Sequence, residues 1–279
     1  MKLCNIKAEG ETHLAVLTER GVVDAAAAGF ASDMDSVIRH GVCDELLKIA
    51  EDASLPVVAE PEYLNVVNAP GKLVCVGLNY VDHAKGCDMK IPEYPILFSK
   101  FANALVPHEA KVLLPEWELS YDYEAELVIV MGKSAWNVSE EEAMDCVFGY
   151  TCGNDFSCRD PQMRSGQWLI GKTMPGFGPC GPVIVTADSY DLSCGKQVRS
   201  YVNGELRQDG NTDQMLFNCA KIISYASRYI GLEPGDLIYT GTPSGVALEK
   251  REDKRRWLEK GDKVDVVIEG IGTLTNYMV

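Results

Sequence analysis

Two glutamates stand where a strongly apolar stretch of the chain begins, and their placement needs a chemical explanation. The run "DYEAELVIVMGK" spans residues 122–133 and turns almost wholly apolar after its acidic start. Alternate side chains of a β-strand share a face, so Glu124 and Glu126 lie about 6.6 Å apart on the face of Val128 and Val130. Both faces of the continuation are apolar, which predicts a strand buried on both sides. Because a buried unpaired carboxylate is costly, a proton, a basic partner or a metal must neutralise these two.

A third acidic side chain, Asp155, follows Gly153 and Asn154 at the end of the predicted strand "VFGYTC". Three carboxylates that arrive from two strand ends suit a hard divalent cation, Mg²⁺, Mn²⁺ or Ca²⁺, with the remaining positions left to water or substrate. Zinc would favour His or Cys ligands instead. The competing interpretation is that each carboxylate caps a turn or pairs with a surface lysine. The Glu-x-Glu spacing alone does not decide between the two.

The composition bounds the classes of partner. The 279 residues are enough for one large domain or two unequal ones, with 46% hydrophobic and 24% charged residues, as in ordinary globular proteins. The formal net charge is −15, from 41 acidic against 26 basic residues. Such a chain repels phosphate backbones and anionic lipid, so nucleic acid and membrane surfaces are disfavoured as partners. An anionic substrate must therefore be met by local cations or by a bound metal.

The cysteines and the apolar runs indicate a cytoplasmic location. The ten cysteines are scattered singly, without a Cys-x-x-Cys pair, which predicts free thiols in a reducing compartment rather than a disulfide framework. No apolar run reaches the roughly 18 residues that a membrane span needs. The first residues, "MKLCNIKAEGETHL", also lack the apolar segment of a secretory signal.

The pattern of predicted elements favours an α+β class that is mostly β. Short strands and a helical stretch near residues 33–52 form a small leading α+β unit, and a proline-rich segment at 54–72 separates it from the main body. We therefore predict a small N-terminal domain at 1–68 and a main domain at 69–279. Strands dominate the main domain, and it lacks the regular βαβ rhythm of a Rossmann sheet or an eight-fold βα barrel. Asn203-Gly204 predicts a two-residue hairpin, Ser139 with Glu142 a capping box, and residues 212–231 a helix.

Eight ordered sequence blocks of the main domain carry a specific resemblance. The blocks are "GLNYVDHA" (77–84), "DYEAELVIVMGK" (122–133), "GYTCGNDFSCRDPQ" (149–162), "GK" (171–172), "FGPCGP" (177–182), "VNGELRQ" (202–208), "LEPGDLIYTGTPSGV" (232–246) and "GIGTLTN" (270–276). Together they resemble the fumarylacetoacetate hydrolase family, over roughly residues 70–279. The smaller acylpyruvase-like and 2-hydroxyhepta-2,4-diene-1,7-dioate isomerase-like members are the most similar. The resemblance implies a mixed β-sandwich roll, a smaller variable N-terminal domain and a homodimer.

The resemblance also implies a divalent cation, Mg²⁺ or Mn²⁺ with Ca²⁺ possible, held by Glu124, Glu126 and Asp155. That trio coincides with the one singled out by the charge argument above.

Five further residues fall in the matching blocks and take their expected roles from the resemblance. His83 would be the general base that activates water or moves an enol proton, and Lys172 would contact a substrate oxygen. Gln162 would act beside the metal, and Arg159 and Thr242 would bind substrate, Thr242 through its backbone or its hydroxyl. Taken one by one, a histidine, an arginine or a lysine is as readily explained by surface solvation.

The chain departs from the family pattern beside His83. Many smaller members read His-Ala-x-Glu, where the glutamate partners the histidine on a mobile lid, and here Gly86 holds the fourth position. Asp88 and Glu93 are near in the chain but not at the matching spacing. Which acid replaces the missing partner is therefore open.

The leading functional expectation is a metal-dependent hydrolase that cleaves a carbon–carbon bond in a small 1,3-diketo or 2-oxo acid of the acylpyruvate type, through a metal-stabilised enolate. The alternative is a tautomerase or decarboxylase of oxaloacetate-like acids, or a 2-hydroxydienoate isomerase, which needs proton transfer without a well-activated water. Gly86 favours that alternative. A remote alternative is a non-catalytic metal-binding protein.

Overall fold

The computed structural model describes residues 1–279, and strands account for most of its regular structure. The eighteen strands are β1 (Lys2–Ala8), β2 (Glu11–Thr18), β3 (Gly21–Asp24), β4 (Glu62–Tyr63), β5 (Leu73–Gly77), β6 (Ile96–Lys100), β7 (Leu105–Val106), β8 (Lys111–Val112), β9 (Tyr121–Asp122), β10 (Ala125–Met131), β11 (Val147–Asn154), β12 (Ser157–Cys158), β13 (Gly178–Thr186), β14 (Gln197–Val202), β15 (Glu205–Asn211), β16 (Leu237–Tyr239), β17 (Lys263–Ile268) and β18 (Gly272–Met278).

The helices are few and short, as expected for a mostly β chain. They are α1 (Met34–His40), α2 (Asp44–Glu51), α3 (Val81–Gly86), α4 (Glu140–Ala143), α5 (Arg159–Met163), α6 (Leu169–Lys172) and α7 (Cys219–Ser227). None of these helices has the length and apolar character needed to cross a membrane.

Two large sheets form the body of the molecule. One has eleven strands in the order β3-β2-β1-β13-β11-β10-β16-β5-β6, with β4 paired to β1 and β7 paired to β13. The other has five strands in the order β15-β14-β17-β18-β8, and β12 and β9 form a small third pair. This arrangement confirms the α+β, mostly β class and the layered β architecture.

Strand β10 is buried on both faces, as its sequence predicts. Leu127 and Ile129 belong to an apolar cluster that includes Val198, Val266 and other residues of the five-stranded sheet. Val128 and Val130 belong to a second cluster, which includes residues of α1 and α2 and covers the opposite face of the large sheet. The two carboxylates at the start of β10 are therefore carried into the interior between these layers.

The leading residues are joined to the main body by backbone pairing. Strand β1 pairs antiparallel with β13, at Lys2 with Val185 and Leu3 with Ile184. The N-terminal unit thus extends the large sheet, and the division between residues 68 and 69 stays a prediction. The helical stretch predicted near 33–52 contains two helices, because Gly41 adopts φ 84° and ends α1 before α2 begins.

Several local predictions are confirmed by the structure. Val202 pairs with Glu205 across a two-residue turn formed by Asn203 and Gly204, both of which have positive φ. The Ser139 capping box is present at the start of α4. The helix predicted at 212–231 is shorter than expected, since α7 begins only after Asn218 caps it. All ten cysteines are free.

Candidate active site

The three predicted metal ligands meet at the paired ends of β10 and β11. These strands run antiparallel with Glu126 opposite Gly153, which brings the residues before β10 beside those after β11. The Asp155 N–H donates to the Glu124 carbonyl at 2.9 Å, and the Glu124 N–H donates to the Asn154 side chain at 2.9 Å. The carboxylate oxygens of Glu124, Glu126 and Asp155 lie within 4.8 Å of one another, and all three residues are buried.

Three cationic side chains neutralise part of this acidic cluster. Lys172 donates to Glu124 at 2.7 Å and to Asp155 at 2.9 Å. Lys100 Nζ lies 2.6 Å from Asp155 Oδ1. Arg159 Nη1 lies 2.7 Å from Glu124 Oε1. Arg159 and Lys172 are therefore buried partners of the acids, and surface solvation is ruled out for both.

Arg159 is itself held by Asp122 and Gln162. Its Nε and Nη2 lie 2.9 and 2.8 Å from Asp122 Oδ2. Its Nη1 donates to Gln162 Oε1 at 3.0 Å, and Gln162 itself lines the cavity. This fixed fork geometry orients the guanidinium toward Glu124.

Glu126 has no cationic partner in hydrogen-bond contact. Its one direct stabilising contact is the Gly241 N–H, which donates to Oε2 at 2.7 Å. Burial, and then the charges of Asp155 and Glu124, raise the pKa of Glu126 well above its ordinary value. Glu124 behaves in the opposite way. Burial works to raise its pKa, but Lys172 and Arg159 outweigh burial and hold the pKa below the ordinary value.

His83 forms a close pair with a residue distant in the chain. His83 Nδ1 lies 2.5 Å from Glu249 Oε1, and Glu249 Oε2 accepts the Gly245 N–H at 2.6 Å. Burial lowers the pKa of His83, but hydrogen bonds with Cys87 and Glu249 raise it overall to about 10. Because Nδ1 faces Glu249, Nε2 is the ring nitrogen left for a substrate.

Gly86 leaves the room that this carboxylate occupies. A Cβ atom at Gly86 would lie 2.7 Å from Glu249 Cδ and 2.8 Å from Glu249 Cγ. Glu249 therefore approaches His83 through the space that a side chain at position 86 would fill. It supplies the acid that the sequence at 86 lacks, while Asp88 lines the cavity without bonding to His83.

Thr242 meets the site with its backbone rather than with its hydroxyl. Its Oγ1 donates to the Ala125 carbonyl at 2.9 Å and accepts from Gln208 at 2.7 Å. The Thr242 N–H donates to no protein acceptor. Of the two contacts expected for Thr242, the backbone one is therefore the one available to a ligand.

One cavity of about 360 Å³ brings the predicted site together. Seven of the eight predicted residues line it, and the eighth, Asp155, lies directly behind, in contact with Lys172. The remainder of the wall comes from the segment 76–89, from α5 and α6, and from a basic segment at 248–255.

The comparison with family models identifies the family of the chain. Residues 72–279 match the model of the fumarylacetoacetate hydrolase C-terminal domain. The chain belongs to the fumarylacetoacetate hydrolase family. Family members carry hydrolase, isomerase and tautomerase activities, so the chain is an enzyme of this family.

Individual relatives of the family cover most of the chain. The mitochondrial human oxaloacetate tautomerase FAHD2A is 42% identical over 81% of this chain and 73% of its own. The solved fumarylacetoacetate hydrolase of Exiguobacterium antarcticum is 34% identical with a TM-score of 0.89, covering 100% of this chain and 99% of its own. A 2-hydroxyhepta-2,4-diene-1,7-dioate isomerase from Mycobacterium marinum is 31% identical with a TM-score of 0.75, covering 100% and 98%.

The acidic trio of this family member fits a divalent cation. Its donors are all hard carboxylate oxygens, which is the ligand chemistry of Mg²⁺ and Mn²⁺. Asp155 Oδ1 is buried and accepts no aligned hydrogen bond, its contact with Lys100 being an ion pair only. Glu126 is buried without a cation of its own. Added positive charge between these atoms would neutralise both carboxylates, Asp155 and Glu126.

Three residues of the site were missed by reasoning from the sequence. Asp122 was visible as the first acid of the run "DYEAE", but only the structure shows that it holds Arg159. Lys100 ends a strand with no distinguishing pattern. Glu249 lies 166 residues from His83 in the chain, and the glycine at 86 was the one sign that a distant acid was needed.

Proposed function

We propose that this enzyme is an enol–keto tautomerase of a small 2-oxo dicarboxylic acid of the oxaloacetate type. The observation that carries the proposal is the 42% identity, over 81% of the chain, to the human oxaloacetate tautomerase FAHD2A. The leading expectation, an acylpyruvate hydrolase, is not confirmed. The alternative, an oxaloacetate-type tautomerase or a 2-hydroxydienoate isomerase, is better supported by the names of the relatives.

The paired His83 and Glu249 support a reaction that moves a proton. Tautomerisation needs one proton taken from carbon or oxygen and one returned, and a buried imidazole held by a carboxylate can do both in turn. Glu249 orients the ring so that Nε2 faces the cavity, 2.5 Å separating Nδ1 from Oε1. The pair can therefore both remove and return the proton without a proton from bulk water.

A divalent cation held by Glu124, Glu126 and Asp155 would supply electrostatic stabilisation of negative charge on the substrate oxygens. The protein adds to this with Lys172 and Arg159, which contact Glu124 and line the cavity. Gln162 and the Thr242 N–H offer two further donors for a substrate carboxylate.

The charge of the cavity also favours a dicarboxylic substrate. Although the chain has a formal net charge of −15, five cationic residues line this one cavity: Arg159, Lys172, Lys250, Arg251 and Arg255. Four acids, Asp88, Glu124, Glu126 and Glu249, line the same cavity, and Arg159 and Lys172 are paired with Glu124. Lys250, Arg251 and Arg255 form no ion pair with these acids, so the segment 250–255 can meet one carboxylate of a small dianion.

Hydrolysis is the second candidate, and Glu249 is the observation that favours it. The absence of an acid at position 86 argued against efficient activation of water, and Glu249 removes that argument. The solved hydrolase from Exiguobacterium antarcticum, at 34% identity, also belongs to this family.

The two functions are separated by following enol loss and pyruvate release independently. We expect protein supplied with Mg²⁺ or Mn²⁺ to remove the ultraviolet absorption of enol oxaloacetate without releasing pyruvate. Pyruvate from acetylpyruvate or fumarylpyruvate would establish the hydrolase instead. Pyruvate with carbon dioxide from oxaloacetate would establish a decarboxylase, and tight ligand binding without turnover would support a non-catalytic protein.

A further inference from the structure

A second group of metal-ligating side chains lies in the cavity wall beside the acidic trio. His83 Nδ1, Cys87 Sγ and a Glu249 carboxylate oxygen all lie within 4.8 Å of one another. Cys87 plays no part in the proton transfer described above. The group differs chemically from the acidic trio, because it offers nitrogen and sulfur in addition to oxygen.

The distances within this group are close to those of a zinc site. Zinc binds imidazole nitrogen at about 2.0 Å and thiolate sulfur at about 2.3 Å, which places tetrahedral N and S ligands about 3.5 Å apart. The His83 Nδ1 to Cys87 Sγ distance is 3.8 Å. The His83 to Glu249 contact of 2.5 Å would open by under about 1 Å to reach tetrahedral spacing.

The local chain geometry explains why the ligands converge. His83 lies in α3 and Cys87 caps its C-terminus, four residues later, so both side chains lie on one face of the turn. Glu249 enters from the opposite side through the space left by Gly86. The side chains of His83 and Glu249 are only 7% and 8% exposed, and Cys87 is partly exposed at the cavity.

We propose that His83, Cys87 and Glu249 form an inhibitory site for Zn²⁺. Three protein ligands leave the fourth position of a tetrahedral ion to water or to a substrate oxygen. Binding displaces two protons to solvent, the thiol proton of Cys87 and the Nδ1 proton that His83 shares with Glu249, and the freed Nδ1 lone pair binds the ion. The metallated ring keeps its proton on Nε2 and cannot accept another, and Glu249 no longer holds the imidazole. Zn²⁺ therefore stops proton transfer at low concentrations, even when Mg²⁺ saturates the acidic trio.

The thiolate gives this site its selectivity. Sulfur and imidazole ligands prefer Zn²⁺ over Mg²⁺, whereas the all-carboxylate trio suits the hard ions. Millimolar Mg²⁺ in the assay thus protects the acidic trio while leaving the second site open to Zn²⁺. The existence of the site does not depend on the proposed function, but its inhibitory effect does, since it acts through the His83 and Glu249 pair.

Binding is tested with Co²⁺ as a spectroscopic substitute for Zn²⁺. In the presence of excess Mg²⁺, we expect the intact protein to develop near-ultraviolet thiolate-to-cobalt charge-transfer absorption, which added Zn²⁺ removes. Cys87→Ser should lack this absorption, and Cys194→Ser, which alters an exposed cysteine elsewhere, should keep it. Absence of the band in the intact protein, or its persistence in Cys87→Ser, would overturn the site.

Inhibition is tested on the same three proteins with enol oxaloacetate, each rate in Zn²⁺ being compared with that protein's own rate without it. Loss of an outer partner of a metal ligand typically weakens metal affinity 10–100-fold, so loss of the ligand Cys87 should raise the inhibitory Zn²⁺ concentration at least about tenfold. Equal sensitivity of Cys87→Ser and intact protein would overturn the inhibitory role. If none of the three proteins turns over oxaloacetate but the intact protein shows the cobalt band, the proposed function is refuted and the zinc site stands.

Discussion

At the scale of single residues, the site depends on how buried charges are paired. The carboxylates at the start of β10 lie in one small space but meet different partners. Glu124 contacts Lys172 and Arg159, whereas Glu126 meets only the Gly241 N–H. The sequence could predict that both acids are buried and need neutralising. It could not predict which acid is left without a cation, because Lys172 and Arg159 reach the cluster from α6 and α5.

Glu249→Gln tests the proton-transfer pair. The amide keeps the size of the side chain but lacks the negative charge that pairs with His83. We therefore expect kcat for oxaloacetate tautomerisation to fall about 10²-fold or more. KM should change little, because Glu249 lies on the far side of the ring from Nε2. The matched control is Glu252→Gln, an exposed glutamate of the same segment, which should keep the full rate. Equal kcat in Glu249→Gln and the intact enzyme would remove Glu249 from the mechanism.

Glu126→Gln tests the charge that lacks a partner. Because the pKa of Glu126 is raised above its ordinary value of 4.5, the folded protein holds a proton that the unfolded chain releases. That contribution to stability is full below the ordinary pKa and is lost as pH rises toward the raised value. Metal-free protein should therefore lose thermal stability as the pH rises above the ordinary pKa of 4.5, and Glu126→Gln should lose less.

The same variant should lose its response to metal. A ligand at 100-fold over its Kd stabilises a folded protein by about 2.7 kcal/mol, so Mg²⁺ should raise the melting temperature of the intact protein but not of Glu126→Gln. The surface variant Glu141→Gln serves as the matched control. If the melting temperatures of intact protein and Glu126→Gln respond alike to pH and to Mg²⁺, Glu126 is neither the unpaired acid nor a metal ligand.

At the scale of elements, the helix α3 and the segment that carries Glu249 together form the His83 and Glu249 pair. Thr242 and the acidic trio lie at or near strand ends, whose pairing is set by the sheet, and His83 lies in α3, shortly after β5. Glu249 lies in a short turn after the sequence block 232–246, and no strand register fixes its position. Its contact with His83 is visible only once the space left by Gly86 is known.

Exchanging the two positions tests this interpretation. Gly86→Glu alone should disturb the site, since even a Cβ at Gly86 would lie 2.7 Å from Glu249 Cδ. Gly86→Glu combined with Glu249→Gly places the acid on α3, three residues from His83 and on the same helical face. We expect the double variant to be more active than either single variant, a coupling measured by a double-mutant cycle. Additive losses would show that the two positions do not share one space.

At the scale of the whole molecule, the fold of an acidic protein gathers five cationic residues around one cavity. The class, the hairpin at Asn203-Gly204 and the double burial of β10 follow from local pattern, whereas the pairing of β1 with β13 joins residues 181 and 183 positions apart and carries no local signal. The family resemblance predicts a homodimer. The exposed apolar side chains of Leu113, Trp117 and Leu119, at 57%, 78% and 76%, mark one stretch that a second copy could cover.

The dimer prediction is tested in solution. We expect light scattering after gel filtration to give twice the 30.6 kDa mass of one chain. Trp117→Glu with Leu119→Glu should shift the protein toward the monomer, because two charges would then be buried at the interface. The control pair Glu140→Gln and Glu141→Gln changes exposed residues elsewhere and should stay dimeric. A monomeric mass for the intact chain at micromolar concentration would contradict the prediction.

An anomalous difference map from crystals grown with Mn²⁺ tests the metal site directly. We expect one strong peak between Glu124, Glu126 and Asp155, bordering the cavity that His83 and Glu249 face. A map without density there, with Lys100 and Lys172 still paired to the carboxylates at full Mn²⁺, would contradict the metal site.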